Sequence, residues 1–222
     1  MNHEGKRDWT ITNGNGTTRE MLFKFLVIGD YGVGKTAIVR RYTEGKFSSN
    51  YKITIGADFA IKSLQWDGNT KINLQLWDIA GHERFGYMTR VYYKYAVAAA
   101  IVFDVSRLAT FQSIPKWLND LREKVTLHDG CPIPIVLLAN KCDIHGTSVP
   151  HDLITKFCKE NGIAAWFLTS AKENVNIEDS MTYLVQKVVN LKAQEAHNDS
   201  IILRDSGRHG NTLSKEKSSC CG

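Results

Sequence analysis

Two near-continuous apolar runs dominate the pattern of this chain: AAAIVFDV at 98–105 and IPIVLLAN at 133–140. Runs of that length and character predict strands buried on both faces, as in a parallel sheet covered by helices. They give strands over 98–103 and 133–139. The alternation in INLQLW predicts a strand over 72–77, and shorter apolar stretches predict strands over 22–28, 57–66 and 165–168. Helical patterns lie between them. TAIVRRYTEG predicts a helix closing at Gly45, and Met181, Leu184, Val185 and Val188 mark one face of a last helix from Ile177 to Ala196. The alternation of strand and helix predicts a single α/β domain over 21–195, a mostly parallel six-stranded sheet with helices on both faces.

The ends read differently. Residues 1–20 are polar, contain Asn-Gly-Asn-Gly and read as a flexible leader. Residues 196–222 are rich in Ser, Asn, Asp, Gly, Lys and Arg, which predicts a disordered tether. The start MNHEGKRDW lacks the apolar stretch of a signal peptide, and no apolar run reaches the roughly 18 residues that cross a bilayer. The expectation is a protein kept in the cytosol. The five cysteines have neither disulfide-framework nor zinc-site spacing, which fits a reducing compartment. The net charge of +5 comes without a long basic block or a basic face interleaved with aromatics, so nucleic acid is not an expected partner.

Candidate chemistry begins at Gly29-Asp30-Tyr31-Gly32-Val33-Gly34-Lys35-Thr36, which matches G-x-x-x-x-G-K-[ST] between a predicted strand and a predicted helix. Glycines let backbone N–H groups of Gly32, Val33, Gly34 and the following Lys35, Thr36 and Ala37 turn around phosphates, at the positive end of a helix. Lys35 brings a full charge to the β- and γ-phosphates, and the Thr36 hydroxyl completes part of a Mg²⁺ shell. Asn140-Lys141-Cys142-Asp143 and Ser170-Ala171-Lys172 both follow predicted strands. A carboxylate at Asp143 can accept from the N1–H and exocyclic amine of guanine, whereas adenine offers no such donor pair. By itself N-K-x-D also suits an ordinary polar loop; the phosphate loop upstream argues for guanine. Asp78 ends a strand and can hold a Mg²⁺-bound water, Gly81 can donate its N–H to a γ-phosphate, and Thr54 can reach Mg²⁺ while that phosphate is present.

On these residues the chain resembles the Ras-like small GTPases, with their P-loop NTPase fold, from about Leu22 to Lys192. Within them it is similar to Rabs, through IGADF, LQLWDIAG, RFGYMT and YYKYA around the two switches. WDIAGHERFGYMTRVYYK, VFDVSR and PIVLLANKCD resemble the Rab subgroup associated with lysosome-related organelles. The resemblance implies a monomeric GTP/GDP switch on the cytoplasmic face of late endosomes, lysosomes or related organelles. It also implies an exchange factor, a GTPase-activating protein, effectors that read Phe59, Trp77 and Phe85, a prenylation escort and a GDP-dissociation inhibitor. The ending Cys220-Cys221-Gly222 is similar to the double-geranylgeranyl terminus of Rabs. Two positions depart from the pattern of the family it resembles. His82 stands where a glutamine orients the attacking water, and Tyr31 stands where a small residue is usual. Both imply slow intrinsic hydrolysis, and leave open a long-lived GTP-bound scaffold as the alternative.

Overall fold

The computed structural model describes residues 9–13, 16–50, 52–81, 89–127, 130–146 and 149–205. The strands are β1 (Trp9–Asn13), β2 (Gly16–Ile28), β3 (Ala57–Gln65), β4 (Thr70–Ile79), β5 (Ala98–Asp104), β6 (Ile135–Asn140) and β7 (Ala165–Leu168). The helices are α1 (Lys35–Glu44), α2 (Thr89–Tyr93), α3 (Leu108–Gln112), α4 (Ile114–Lys124), α5 (His151–Glu160) and α6 (Ile177–Asp205).

The six expected strands run in the order β3-β4-β2-β5-β6-β7. Only β3 is antiparallel to its neighbour within that row. All seven residues of β5 and all six of β6 are buried, as the apolar runs require, because helices cover both faces. On one face Phe25, Val27, Leu74, Leu76, Val102 and Leu138 pack against α1 and α6. On the other, Leu26, Ile28, Ile101, Phe103 and Leu137 pack against α4 and α5, where Trp117 is fully buried. The predicted α6 stripe of Met181, Leu184, Val185 and Val188 is buried against the first of these layers. Helix α1 closes at Gly45, whose left-handed backbone (φ 68°) lets its N–H cap the Arg41 carbonyl.

Two boundaries differ from expectation. Part of the expected flexible leader is strand: β1 pairs antiparallel with the start of β2, Trp9 opposite Glu20 and Asn13 opposite Gly16. Asn-Gly between runs of Thr and Ile is a hairpin sequence as well as a loop sequence, and the β-branched residues favour the strand. Helix α6 runs past Ala196 to Asp205. No Gly or Pro interrupts the chain between Gly162 and Gly207, and extending a helix that tertiary packing has nucleated costs little. The tail beyond Asp205, with Cys220 and Cys221, lies outside the described residues.

Candidate functional site

The parallel strands β2, β4, β5, β6 and β7 deliver their C-terminal ends to one edge of the sheet, and every candidate site residue that the structure describes follows one of those ends or faces it. A cavity of about 280 Å³ opens there, lined by Gly32, Gly34, Lys35, Thr36, Ala37, Thr54, Gly81 and Lys141 from the predicted set. Tyr31, Arg40 and residues 46–50, 52 and 53 complete its wall. Val33 is buried behind it.

The glycine pattern has steric causes. A Cβ at Gly29 would overlap the Val102 backbone, and one at Gly81 would overlap the backbone of Asp30 and Tyr31. Gly81, at the end of the β4 segment, therefore lies directly against the phosphate loop. Gly34 has φ 100°, and its Cβ would strike the Asn140 amide.

Lys35 folds its amine back to donate to the carbonyls of Gly29 and Asp30, each at 2.9 Å. Burial pushes its pKa down to about 8, against the attraction of Asp78 and Asp30. The Thr36 and Thr54 hydroxyls lie 3.0 Å apart. Both donate to Asp78 Oδ2, Thr54 at 3.4 Å. Among the described residues Asp78 Oδ1 is buried without a hydrogen-bond partner, and burial raises the carboxyl pKa although Thr36, Lys35 and Thr54 pull it back. Two hydroxyls meeting at one carboxylate, whose second oxygen is unpartnered among the described residues, form a hard oxygen donor set that fits Mg²⁺.

Of the base-side residues Lys141 lines this cavity, and the others lie beyond it. Asn140 donates from Nδ2 to the Val33 carbonyl at 2.8 Å, and its Oδ1 accepts from Thr169 Oγ1 and the Ala171 N–H, both at 3.3 Å. Lys141, held at φ 67°, donates to the Gly32 carbonyl at 2.7 Å and pairs with Asp104 at 2.8 Å. Ser170 Oγ donates to Asp143 Oδ1 at 2.6 Å, and Lys172 Nζ faces Asp143 Oδ2 at 4.0 Å.

Two contributors escape the sequence reading. Asp30 accepts from Ser113 Oγ (2.6 Å) and from the Trp117 indole (2.8 Å), which fixes the phosphate loop to α4. Asp104 gathers Lys141, Arg107 and Ser106, and Arg107 in turn reaches the Tyr31 carbonyl at 3.4 Å. Desolvation works against the Asp104 carboxylate, yet these donors hold its pKa below the ordinary value. In sequence, the one signal for Asp104 is a carboxylate ending an otherwise apolar strand.

The surface beside the site carries Phe59, exposed and stacked on Trp77 at 5.9 Å, with Tyr92 next to it. Phe85 and His82 lie outside the described residues.

A family model described as the Ras family matches residues 24–190. The chain belongs to the Ras family. Within it, it is 53% identical over 206 residues to Ras-related protein Rab-32 of Homo sapiens, covering 92% of this chain and 91% of that protein. It is 53% identical over 174 residues to Rab-32A of Dictyostelium discoideum (77% and 79%), and 47% identical over 205 residues to Rab-7L1 of Homo sapiens (92% and 99%). This Ras-family chain is thus a Rab small GTPase: a GTP hydrolase that binds GTP and GDP and acts as a switch in membrane trafficking.

Proposed function

We propose that this Rab holds Mg²⁺·GTP at the cavity described above and hydrolyses it slowly by itself, as a switch on lysosome-related organelles. The observation that carries the site assignment is the orphaned, buried Asp78 Oδ1 beside the Thr36 and Thr54 hydroxyls. Thr36, Thr54 and Asp78 would hold the cation, Asp78 through a water, and Mg²⁺ would supply charge neutralisation at the β- and γ-phosphate oxygens. Lys35 exchanges its two carbonyl partners for those oxygens, while the backbone N–H groups of Gly32, Val33, Gly34, Lys35, Thr36 and Ala37 cradle the phosphates. Asp143 accepts from guanine, Ala171 offers its N–H to the base, and Lys141 and Lys172 flank it. Asn140 and Ser170 brace the two loops. Gly81 brings its N–H against the γ-phosphate, and His82 stands in the position that orients water.

The slow rate follows from chemistry at two side chains. A neutral imidazole at His82 donates and accepts at a reach and angle different from those of an amide. Tyr31 is 56% exposed and lines the cavity, so its phenol occupies space beside the reacting phosphate. Single-turnover hydrolysis of bound GTP tests this. His82→Gln or Tyr31→Ser should accelerate the reaction; equal rates in all three proteins would show that His82 positions water adequately. A second reading, a GTP-bound scaffold with negligible turnover, is supported by the same Tyr31 placement and requires that an added activating protein leave the rate unchanged.

The resemblance of WDIAGHERFGYMTRVYYK and PIVLLANKCD to one Rab subgroup supports the organelle assignment. Exchange factor, activating protein and effectors are expected at the switches, where Phe59 and Trp77 present an aromatic surface. Membrane attachment is assigned to geranylgeranyl groups on Cys220 and Cys221, delivered by a prenylation escort and extracted by a GDP-dissociation inhibitor. Replacing both cysteines with serine should shift the protein to the cytosolic fraction, and unchanged membrane recovery refutes the assignment.

A further inference from the structure

Arg41 belongs to no motif in the sequence, yet its half-buried guanidinium makes three bonds to backbone carbonyls. Nη1 donates to Gly45 at 2.7 Å, at the end of its own helix. Nε donates to Ala171 at 2.8 Å and Nη2 to Lys172 at 2.9 Å, across 130 and 131 positions of sequence. A planar fork on two successive carbonyls fixes the two peptide planes that contain them.

In a trans peptide the C=O and the following N–H point in opposite directions. Drawing the Lys172 carbonyl toward Arg41 therefore turns the Glu173 N–H away from it. That N–H donates to Ser170 Oγ at 3.0 Å, and Ser170 Oγ donates to Asp143 Oδ1 at 2.6 Å. Among the described residues the other contact of this carboxylate, to Lys172 Nζ, is 4.0 Å long. The orientation of Asp143 thus depends on the Ser170 bond, and the Ser170 hydroxyl is held by a peptide that Arg41 holds.

We propose that Arg41 is a positioning residue for base selectivity, acting on Asp143 through the 172–173 peptide and Ser170. The proposal rests on the assignment of Asp143 to guanine made above. Arg41 lies about 9 Å along α1 from Lys35. One rigid helix therefore joins the phosphate end of the site to the base end.

The test compares the binding of GDP and IDP to the full chain, since the two differ only in the exocyclic amine that Asp143 accepts. Arg41→Lys, which keeps charge and stem but loses the fork, and Arg41→Gln should each lower the GDP-over-IDP preference by about tenfold, the worth of one hydrogen bond to a charged group. IDP affinity should move far less. Ser170→Ala, which cuts the relay one step closer, should lose a similar amount, and its combination with Arg41→Lys should lose no more than either alone. Equal weakening of GDP and IDP, an unchanged preference, or additive losses overturn the relay. Should Asp143→Asn retain the original preference, the guanine assignment itself fails and the proposal with it.

Discussion

Charged side chains taken from water in this domain differ in what replaces the water. Asp104 is almost fully buried but accepts from Lys141, Arg107 and Ser106, and its carboxyl stays below its ordinary pKa. Lys24 on β2 has less: its ammonium lies 3.7 Å from the Trp77 ring centroid, and burial lowers its pKa from 10.5 to about 8. Below pH 8 the folded and unfolded chains both carry the proton, and the folded state bears the whole desolvation cost. Between pH 8 and 10.5 the unfolded chain binds more protons, so this group's contribution to stability rises with pH. Because Lys24 is only partly buried, screening reduces the effect to about 1 kcal/mol. Lys24→Met should stabilise the domain by that amount at pH 7, with the gain gone by pH 10.5. Urea unfolding at the two pH values measures it, and a gain that does not change with pH would show that Lys24 is held charged by the ring.

At the scale of elements, α4 acts on the site without supplying a ligand. Its Trp117 fills the layer beneath β5 and β6 while its indole N–H holds Asp30. Trp117→Phe keeps most of the packing and removes that donor from a carboxylate, a loss of about 2 kcal/mol. Equilibrium unfolding with bound Mg²⁺·GDP should show it, and a change under about 0.5 kcal/mol would mean that Ser113 suffices to hold Asp30. This contact also marks where the sequence stops being readable. The strands β5 and β6 announce themselves because full burial on both faces leaves only apolar residues, and the phosphate loop does so because its function needs glycines at fixed offsets. Asp30 with Trp117, or Arg41 with Ala171, are pairings between distant segments: nothing local distinguishes Asp30 from any other loop residue or Arg41 from any other helix surface cation. The errors at the ends have a related cause. In β1 the Asn-Gly signal serves hairpins and loops alike, and the far end of α6 is decided by propagation from a packed helix rather than by an apolar stripe of its own.

At the scale of the whole molecule, the site holds a group that the fold alone does not satisfy. Among the described residues nothing satisfies the buried Asp78 Oδ1, while the Thr36 and Thr54 hydroxyls lie within hydrogen-bond distance of each other, at 3.0 Å. An unsatisfied buried carboxylate oxygen costs folding free energy, so part of the cost of the site is carried by the nucleotide-free domain. Asp78→Ala removes the orphan and leaves the threonine pair. The nucleotide-free variant in chelator should therefore melt at or above the temperature of the natural chain. With Mg²⁺·GTP at about a thousand times its dissociation constant, the natural chain gains about 4 kcal/mol, a rise on the order of 10 °C for a domain of this size. The variant should gain much less, so the order of the two melting temperatures reverses between conditions. A variant that melts lower in both would make Asp78 a structural carboxylate. A variant that gains as much from Mg²⁺·GTP as the natural chain would leave the cation held by Thr36 and Thr54 without it.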